Sequence, residues 1–206
     1  MPRKPTAQRT GLSHERIVAA AADLIDREGA EALSARKLAA ELSCEAMSLY
    51  HHVPSMKALL DEVVDQALGA IDLPPADTHE PRKALAAMTH AYLKLADARP
   101  HTFRVVSSRR WRTSAELAYQ SRMIEILMAV GLTPRAALRA SRLLVVYLNG
   151  AGLAITGWKL DTTQPPTALA SAEVKTVMRL STAALVAKDM AWGLELMLKT
   201  LVPRRP

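Results

Sequence analysis

Residues 33–57 read LSARKLAAELSCEAMSLYHHVPSMK, and no other stretch of the chain constrains the fold as tightly. Ser34 is placed to cap a short helix, its hydroxyl accepting from backbone N–H groups that the first turn leaves free. Leu38 and Leu42 are four apart and share one face, with Ala39 beside them. Ser43 interrupts that pattern. A second short helix is expected over residues 45–51, anchored inward by Leu49. Pro54 ends it, because a proline disfavours helical geometry at the preceding Val53. Ser55 then caps a longer segment carrying Leu59, Leu60, Val63 and Val64. Two short helices joined by a tight turn predict a helix-turn-helix, whose second helix can lie in the major groove of DNA.

The second of these helices is poor in apolar residues. Ser48, Tyr50, His51 and His52 are groups that reach phosphates and base edges. The string L-S-x-R-K-L-A-x-x-L-S-x-x-x-x-S-L-Y-x-H-V, followed by the Leu59-Leu60 pair, resembles the DNA-binding head of the tetracycline-repressor (TetR) family. The resemblance runs through Leu33, Arg36, Leu38, Ala39, Leu42, Leu49, Tyr50, His52, Val53, Leu59 and Leu60. It is dense over residues 33–60, looser back to Ile17 and Gly29, and covers roughly the first third of the chain. It implies phosphate contacts from Tyr50 and His52, and base-edge contacts from Ala46, Met47 and Ser48. Arg36, beside the capping Ser34, is expected on phosphate or base. The chain departs from the pattern at Met56, where the family usually carries a lysine. Lys57 is the neighbouring substitute, about 100° further round the helix.

Composition points to an all-α chain. Half of the 206 residues are hydrophobic, led by Ala and Leu, and aromatics are only 4%. The single cysteine, Cys44, excludes an internal disulfide and a zinc set, and is expected to be a small buried residue in the turn. No cofactor or metal is expected. No apolar run approaches the roughly 18 residues of a membrane span, and residues 1–10 are basic without an apolar core, so a cytoplasmic protein without membrane contact is expected. The net charge of +7 is unevenly placed. Residues 1–66 hold 8 basic and 10 acidic side chains, while residues 67–206 hold 19 and 10. Any basic face on the head is therefore local, built from Arg36, Lys37, Lys57 and an arm carrying Arg3, Lys4 and Arg9.

The chain divides into a DNA-binding domain over residues 1–70, with its basic arm, and a ligand-binding and dimerisation domain over 71–206. In the first, Ser13 opens a helix to Glu28 with Ile17, Ala21, Leu24 and Ile25 inward, and Gly29 is expected to stop it in a left-handed turn. A linking fourth helix runs from Met56 to Leu68, before the proline-bearing loop at 72–78. Beyond it, helices are expected over 81–98, 101–107, 114–130 and 134–158, with weaker helices over 171–187. In the third of these Leu117, Ile124, Leu127 and Met128 are expected inward. The helix from 134 is apolar around most of its circumference, and its Gly150 and Gly152 suggest close packing or a bend. Asp189 is expected to cap a closing helix over 190–201, whose segment DMAWGLELMLKTL resembles the last helix of the same family.

The sequence has no phosphate-binding glycine loop, no Gly-x-Ser-x-Gly and no Cys/His zinc spacing, so nothing in it suggests an enzyme. A small-molecule pocket is expected among the body helices, lined by Met88, Tyr92, Phe103, Trp111, Met123, Leu127, Tyr147 and Asn149. Met-rich, sparsely polar walls suit an apolar or aromatic effector, oriented by Tyr147 and Asn149. A homodimer is expected through the long helix and the last one, with Trp192, Leu194, Met197 and Leu198 as contacts. The family resemblance implies a repressor that leaves double-stranded operator DNA when an effector binds. The rival reading is a helical protein-interaction module that binds no DNA.

Overall fold

The computed structural model describes residues 12–109, 111–161, 171–172 and 183–202. The basic arm, Arg110, the loop from 162, the 173–182 part of the weaker helices expected over 171–187 and the tail from 203 lie outside the described residues. The described elements are all helical. They are α1 (His14–Glu28), a single 3-10 turn (Ala30–Ala32), α2 (Ala35–Leu42), α3 (Ala46–Leu49), α4 (Met56–Gly69) and α5 (Pro81–Ala98). Then follow α6 (Pro100–Ser108), α7 (Ser114–Ala129), α8 (Pro134–Leu160) and α9 (Ala183–Leu201). The chain forms two compact units, Met1–Val63 and Val64–Pro206, and α4 runs unbroken through the division.

In the first unit, α1 buries Ile17, Ala21, Leu24 and Ile25 completely, as its spacing predicts. Ser13 caps it, its Oγ accepting from the Arg16 N–H at 3.3 Å. Gly29 stops it at φ 90°, ψ 164° rather than in the expected left-handed helical turn, a region open to glycine alone at low cost. Leu38, Ala39, Leu49, Val53 and Leu59 complete this small core. His14 adds a polar clasp. Its Nδ1 lies 3.0 Å from the His52 carbonyl oxygen and its Nε2 lies 2.5 Å from Glu62 Oε2. Both partners are acceptors, so both ring nitrogens donate only when the imidazole is protonated. The His52 carbonyl, then the Glu62 charge, raise the His14 pKa above 6.5.

The second unit is organised on α8, which packs against α5, α6, α7 and α9. Thr133 caps it and Pro134 occupies its first turn, where the missing N–H costs nothing. By length and composition α8 could cross a membrane, against the sequence expectation. Here it buries Ala137, Ala140, Leu144, Leu148, Ala151, Gly152 and Ile155 against its neighbours. At Gly152 a Cβ would lie 2.1 Å from Phe103 Cζ, so the ring rests on bare α8 backbone. Gly150 has open space around it, so the close packing expected of both glycines belongs to Gly152 alone. Gly193 of α9 is constrained the same way, since a Cβ there would lie 2.2 Å from the Tyr147 hydroxyl.

Several expectations give way. The second helix of the pair is shorter than residues 45–51, because the backbone tightens at Tyr50 and His51 ahead of the extended residue that Pro54 requires. In α7 the inward face is Glu116, Tyr119, Met123, Ile126 and Leu127, while Leu117 and Met128 are exposed and Ile124 is half-buried. The last helix starts at Ala183, so Asp189 is an exposed interior residue and not its cap. Cys44 is half-buried rather than buried.

Two outcomes are expected. Gly152→Ala overpacks the Phe103 contact and lowers stability by roughly 1–3 kcal/mol, and Phe103→Leu in the same chain restores part of it, as chemical denaturation will read. The folded pKa of His14 is raised, so its stabilisation is complete below its unfolded value of about 6.5 and lost as pH climbs through the folded value. Wild type should therefore lose its thermal advantage over His14→Gln as the pH rises above about 6.5; a difference independent of pH would refute the clasp.

Candidate nucleic-acid interface and aromatic cluster

The helix pair of the first unit is set by local chemistry. Ser34 Oγ accepts from the Lys37 N–H at 3.3 Å and caps α2, a contact of about 1 kcal/mol. Ser43 then takes a left-handed conformation, φ 53°, ψ 45°, as the one non-glycine at positive φ among the described residues. Its N–H donates to the Ala40 carbonyl, and that of Cys44 to Ala39, so the turn closes without an unpaired amide. Leu49 and Val53 are buried and hold α3 by its back.

The opposite face of α3 is bare. Met47 is 71% exposed and Tyr50 43% exposed, His51 is exposed, and Ala46, Ser48 and His52 are half-buried. Ser34 and Arg36 at the start of α2 are exposed, as is Lys57 in the first turn of α4. The eight sequence-selected residues are thus all at least partly accessible. Neighbouring cations are spent on local pairs: Arg27 on Glu41 and Lys37 on Glu28. Arg36 and Lys57 form no ion pair among the described residues, which leaves their charge for an anion. The His14 clasp holds the backbone at His52, the last of the accessible group on this turn. Ser55 Oγ accepts from the Ala58 N–H at 3.0 Å and caps α4 beside Lys57.

In the second unit the proposed liners separate. Met88, Tyr92, Phe103, Met123 and Leu127 are fully buried. Tyr92 of α5 is the hub of four aromatic rings. Its ring centroid lies 5.3 Å from Phe103 of α6, 6.2 Å from Trp111 and 5.6 Å from Tyr119 of α7. Trp111 and Tyr119 meet edge to face at 5.9 Å. The Tyr92 hydroxyl donates to Asn149 Oδ1 at 2.7 Å, and the Tyr119 hydroxyl to the Met88 carbonyl at 3.0 Å. Burial first, and then the charge of Glu116, keep the Tyr92 phenol protonated far above neutral pH. Tyr147 stands apart, its hydroxyl donating to the Met190 carbonyl at 2.6 Å. The two residues expected to orient a ligand, Tyr147 and Asn149, therefore both have partners inside the protein.

Sequence reasoning missed Tyr119 and Glu116. Glu116 is fully buried and closes a capping box on α7: Thr113 Oγ1 accepts from the Glu116 N–H, and Glu116 Oε2 accepts from the Thr113 and Arg112 N–H groups at 2.7 Å each. Among the described residues its other oxygen, Oε1, has no hydrogen-bond partner, and neither has the buried indole Nε1 of Trp111. The T-x-x-E spacing was there to be read as a cap. An open cavity of about 710 Å³ lies elsewhere in this unit, lined by Asp77, His79, Arg82, Lys83, Glu195 and neighbours, and it includes none of the expected liners. Among the described residues no cluster of His, Cys, Asp and Glu is arranged to hold a metal.

Known proteins place this geometry. Residues 17–63 match the model of the family described as bacterial regulatory proteins, tetR family. The chain is similar to the HTH-type transcriptional repressor DrrR1 of Streptomyces coeruleorubidus, 33% identical over 150 residues, covering 72% of this chain and 53% of the repressor. The match thus spans about half of that relative's length. ActR of Streptomyces coelicolor in complex with actinorhodin has the same fold, with a TM-score of 0.70 at 23% identity over 93% of this chain and 97% of the other. A TetR variant of Acinetobacter baumannii AYE in complex with minocycline superposes with a TM-score of 0.71 at 22% identity, over 92% and 96%. With the helix pair and the bare α3 face already in place, residues 17–63 are those of the tetR family of bacterial regulatory proteins.

Proposed function

We propose that this protein is a DNA-binding transcriptional regulator, a repressor that a small-molecule effector releases from its operator. The observation that carries the reading is the α3 face: Leu49 buried behind, Met47 and Tyr50 exposed in front, with the exposed cations Arg36 and Lys57 on the neighbouring helices α2 and α4. A short helix seated by its apolar back, with exposed cations on the neighbouring helices, suits the major groove and its phosphates. Tyr50 and His52 take phosphates, Ala46, Met47 and Ser48 face base edges, and Lys57 stands in for the lysine missing at Met56. The protein would act in the cytoplasm, where its operator is.

ActR and TetR were each solved with a small molecule, actinorhodin and minocycline. By extension the second unit of this chain binds an effector beside Tyr92, Phe103 and Trp111. A route to the DNA-binding unit is available. The Ala115 N–H at the start of α7 donates to Asp65 Oδ1 of α4 at 2.7 Å, and α4 continues into the first unit. An effector that shifts the start of α7 moves Asp65 and with it α4. It releases operator only by binding the shifted arrangement more tightly.

Two such units reading one operator need a twofold partner. Leu143, Val146, Leu153 and Trp158 form an exposed stripe on α8, with Gly150 and Gly157 on the same side and nothing within 4 Å of either missing Cβ. Trp192 and Leu196 are exposed on α9. Leu194 and Leu198 are fully buried within the protomer, so Trp192 and Met197 remain of the four contacts expected from sequence. The paired α8 and α9 stripes would form a four-helix dimer interface.

Retardation of the gene's own upstream DNA tests the first reading. Tyr50→Phe and His52→Ala should weaken binding, and Lys57→Ala should reduce the salt slope by about one counterion. Wild-type affinity in all three variants would overturn the placement, and no retardation by wild type would favour the protein-interaction module. For the dimer, Val146→Arg should give a monomer by sedimentation at micromolar concentration and lose operator affinity with it. A wild-type protein that already sediments as a monomer would exclude the interface.

A further inference from the structure

His14, the first residue of α1, reaches two other segments at once. Its Nδ1 lies 3.0 Å from the carbonyl oxygen of His52, in the turn after α3, and its Nε2 lies 2.5 Å from Glu62 Oε2 on α4. A neutral imidazole has one N–H and can serve only one of these acceptors, so the arrangement is that of the imidazolium. An accessible ion pair contributes little to the stability of a fold. Ile17, Leu24, Leu38, Leu49 and Leu59, all without exposed surface, hold the helices of this unit together from inside. What the clasp adds is the placement of one peptide.

That peptide closes the turn after α3. The His52 N–H donates to the Leu49 carbonyl at 2.9 Å, and the Val53 N–H donates to the same oxygen at 3.0 Å. With its carbonyl on His14, His52 has a partner for both of its backbone polar groups. Pro54 follows and has no N–H with which to add a further tie. The direction of the His52 side chain, and the way the chain leaves α3, are thus set by a donor that depends on a proton. The titratable groups that face His14 are Glu62 from α4, Glu15 beside it on α1, and His52 from the turn, which brings an imidazole of its own. The His52 carbonyl first, and then the two carboxylates, favour the charged His14 ring.

We propose that His14 is a positioning residue for operator binding: its imidazolium fixes the His52 peptide at the end of α3, and operator binding is thereby linked to one proton. The inference rests on the α3 face being the DNA-binding surface, and it adds the proton as a regulator and the residue that carries it. When the ring loses its proton one donor goes, and either the His52 carbonyl or Glu62 is released. A His52 that is no longer fixed has to be ordered again when it meets a phosphate, and that ordering weakens binding. The folded pKa of His14 is raised above 6.5, so affinity is full while the ring is charged and falls as pH rises through the folded value.

Operator retardation at fixed ionic strength, from about pH 6 upward, tests this in wild type, His14→Gln, Glu62→Gln and His52→Ala. His14→Gln keeps an uncharged donor at any pH. Glu62→Gln offers an amide N–H to Nε2 while Nδ1–H stays on the His52 carbonyl, so that a neutral His14 satisfies both contacts. His52→Ala removes the second imidazole and keeps the carbonyl. At about pH 6, His14→Gln should bind about two- to fivefold more weakly than wild type, the range of an exposed ion pair, and the two should converge as pH rises. Glu62→Gln should bind at least as tightly as wild type at the acid end and decline less with pH. His52→Ala should bind more weakly and still decline, and adding His14→Gln to it should flatten that decline. A constant ratio between His14→Gln and wild type at every pH marks a merely structural role and overturns the inference. So does a decline that is the same in Glu62→Gln as in wild type, or one that disappears in His52→Ala. A wild-type affinity independent of pH overturns it while leaving the DNA-binding reading intact, and no retardation at any pH removes both.

Discussion

The contact between Phe103 and the bare backbone at Gly152 is the one on which the rest of the second unit depends. Any side chain at that position would push α6 away from α8. Because there is none, the Phe103 ring settles against α8 and presents its edge to Tyr92, and Tyr92 in turn meets Trp111 and Tyr119. The unit's core is mostly aliphatic, with Tyr92, Phe103 and Tyr119 gathered at one point of it in a chain with few aromatics. Concentrating them at one point leaves the polar ends of those rings to be satisfied internally. Asn149 and the Met88 carbonyl do so for the two phenols, and nothing among the described residues does so for the Trp111 indole.

The first unit is stabilised by different means. Its apolar core is small, and polar groups at the segment ends set the geometry: Ser13, Ser34 and Ser55 each cap a helix, and His14 clasps the end of α3. These contacts have direction, which apolar burial lacks, so they fix the orientation of α3 rather than merely its existence. That is what a helix meant to present side chains to a groove requires. The short length of α3 follows from the same logic, since Pro54 forces the chain out of the helix while Val53 and Leu49 keep its back buried.

Asp65 connects local chemistry to a larger consequence. It sits on α4 at the point where the two units divide, and it accepts the Ala115 N–H at the start of α7. An unpaired helix-start amide is a strong donor, and a carboxylate there is favoured by the helix dipole as well as by the bond. The same first turn carries Glu116. One turn of helix thus holds the link to α4 and the unsatisfied carboxylate.

The sequence by itself determined most of the elements and their starts, the last helix excepted. Caps at Ser13, Ser34 and Thr133, prolines at Pro81 and Pro134, and the glycine stop at Gly29 act within a few residues, so their meaning is carried locally. The helix pair and its accessible residues were readable for the same reason, because Ser34, Leu38, Leu49 and Pro54 are all short-range signals. Tertiary structure alone decided which face of an ambiguous helix turns inward. In α7, Leu117, Ile124 and Met128 make as plausible a stripe as Tyr119, Met123 and Ile126, and the packing of α5 and α8 chose the latter with Glu116 on it. It also decided that Asp189 is passed over, since an exposed aspartate does not stop a helix whose other side is packed. Most of all, it decided that Tyr147 and Asn149 meet partners while, among the described residues, Glu116 Oε1 and the Trp111 indole do not. Satisfaction of a hydrogen bond is a property of two groups brought together from distant parts of the chain, and no spacing along it records which pairs will meet.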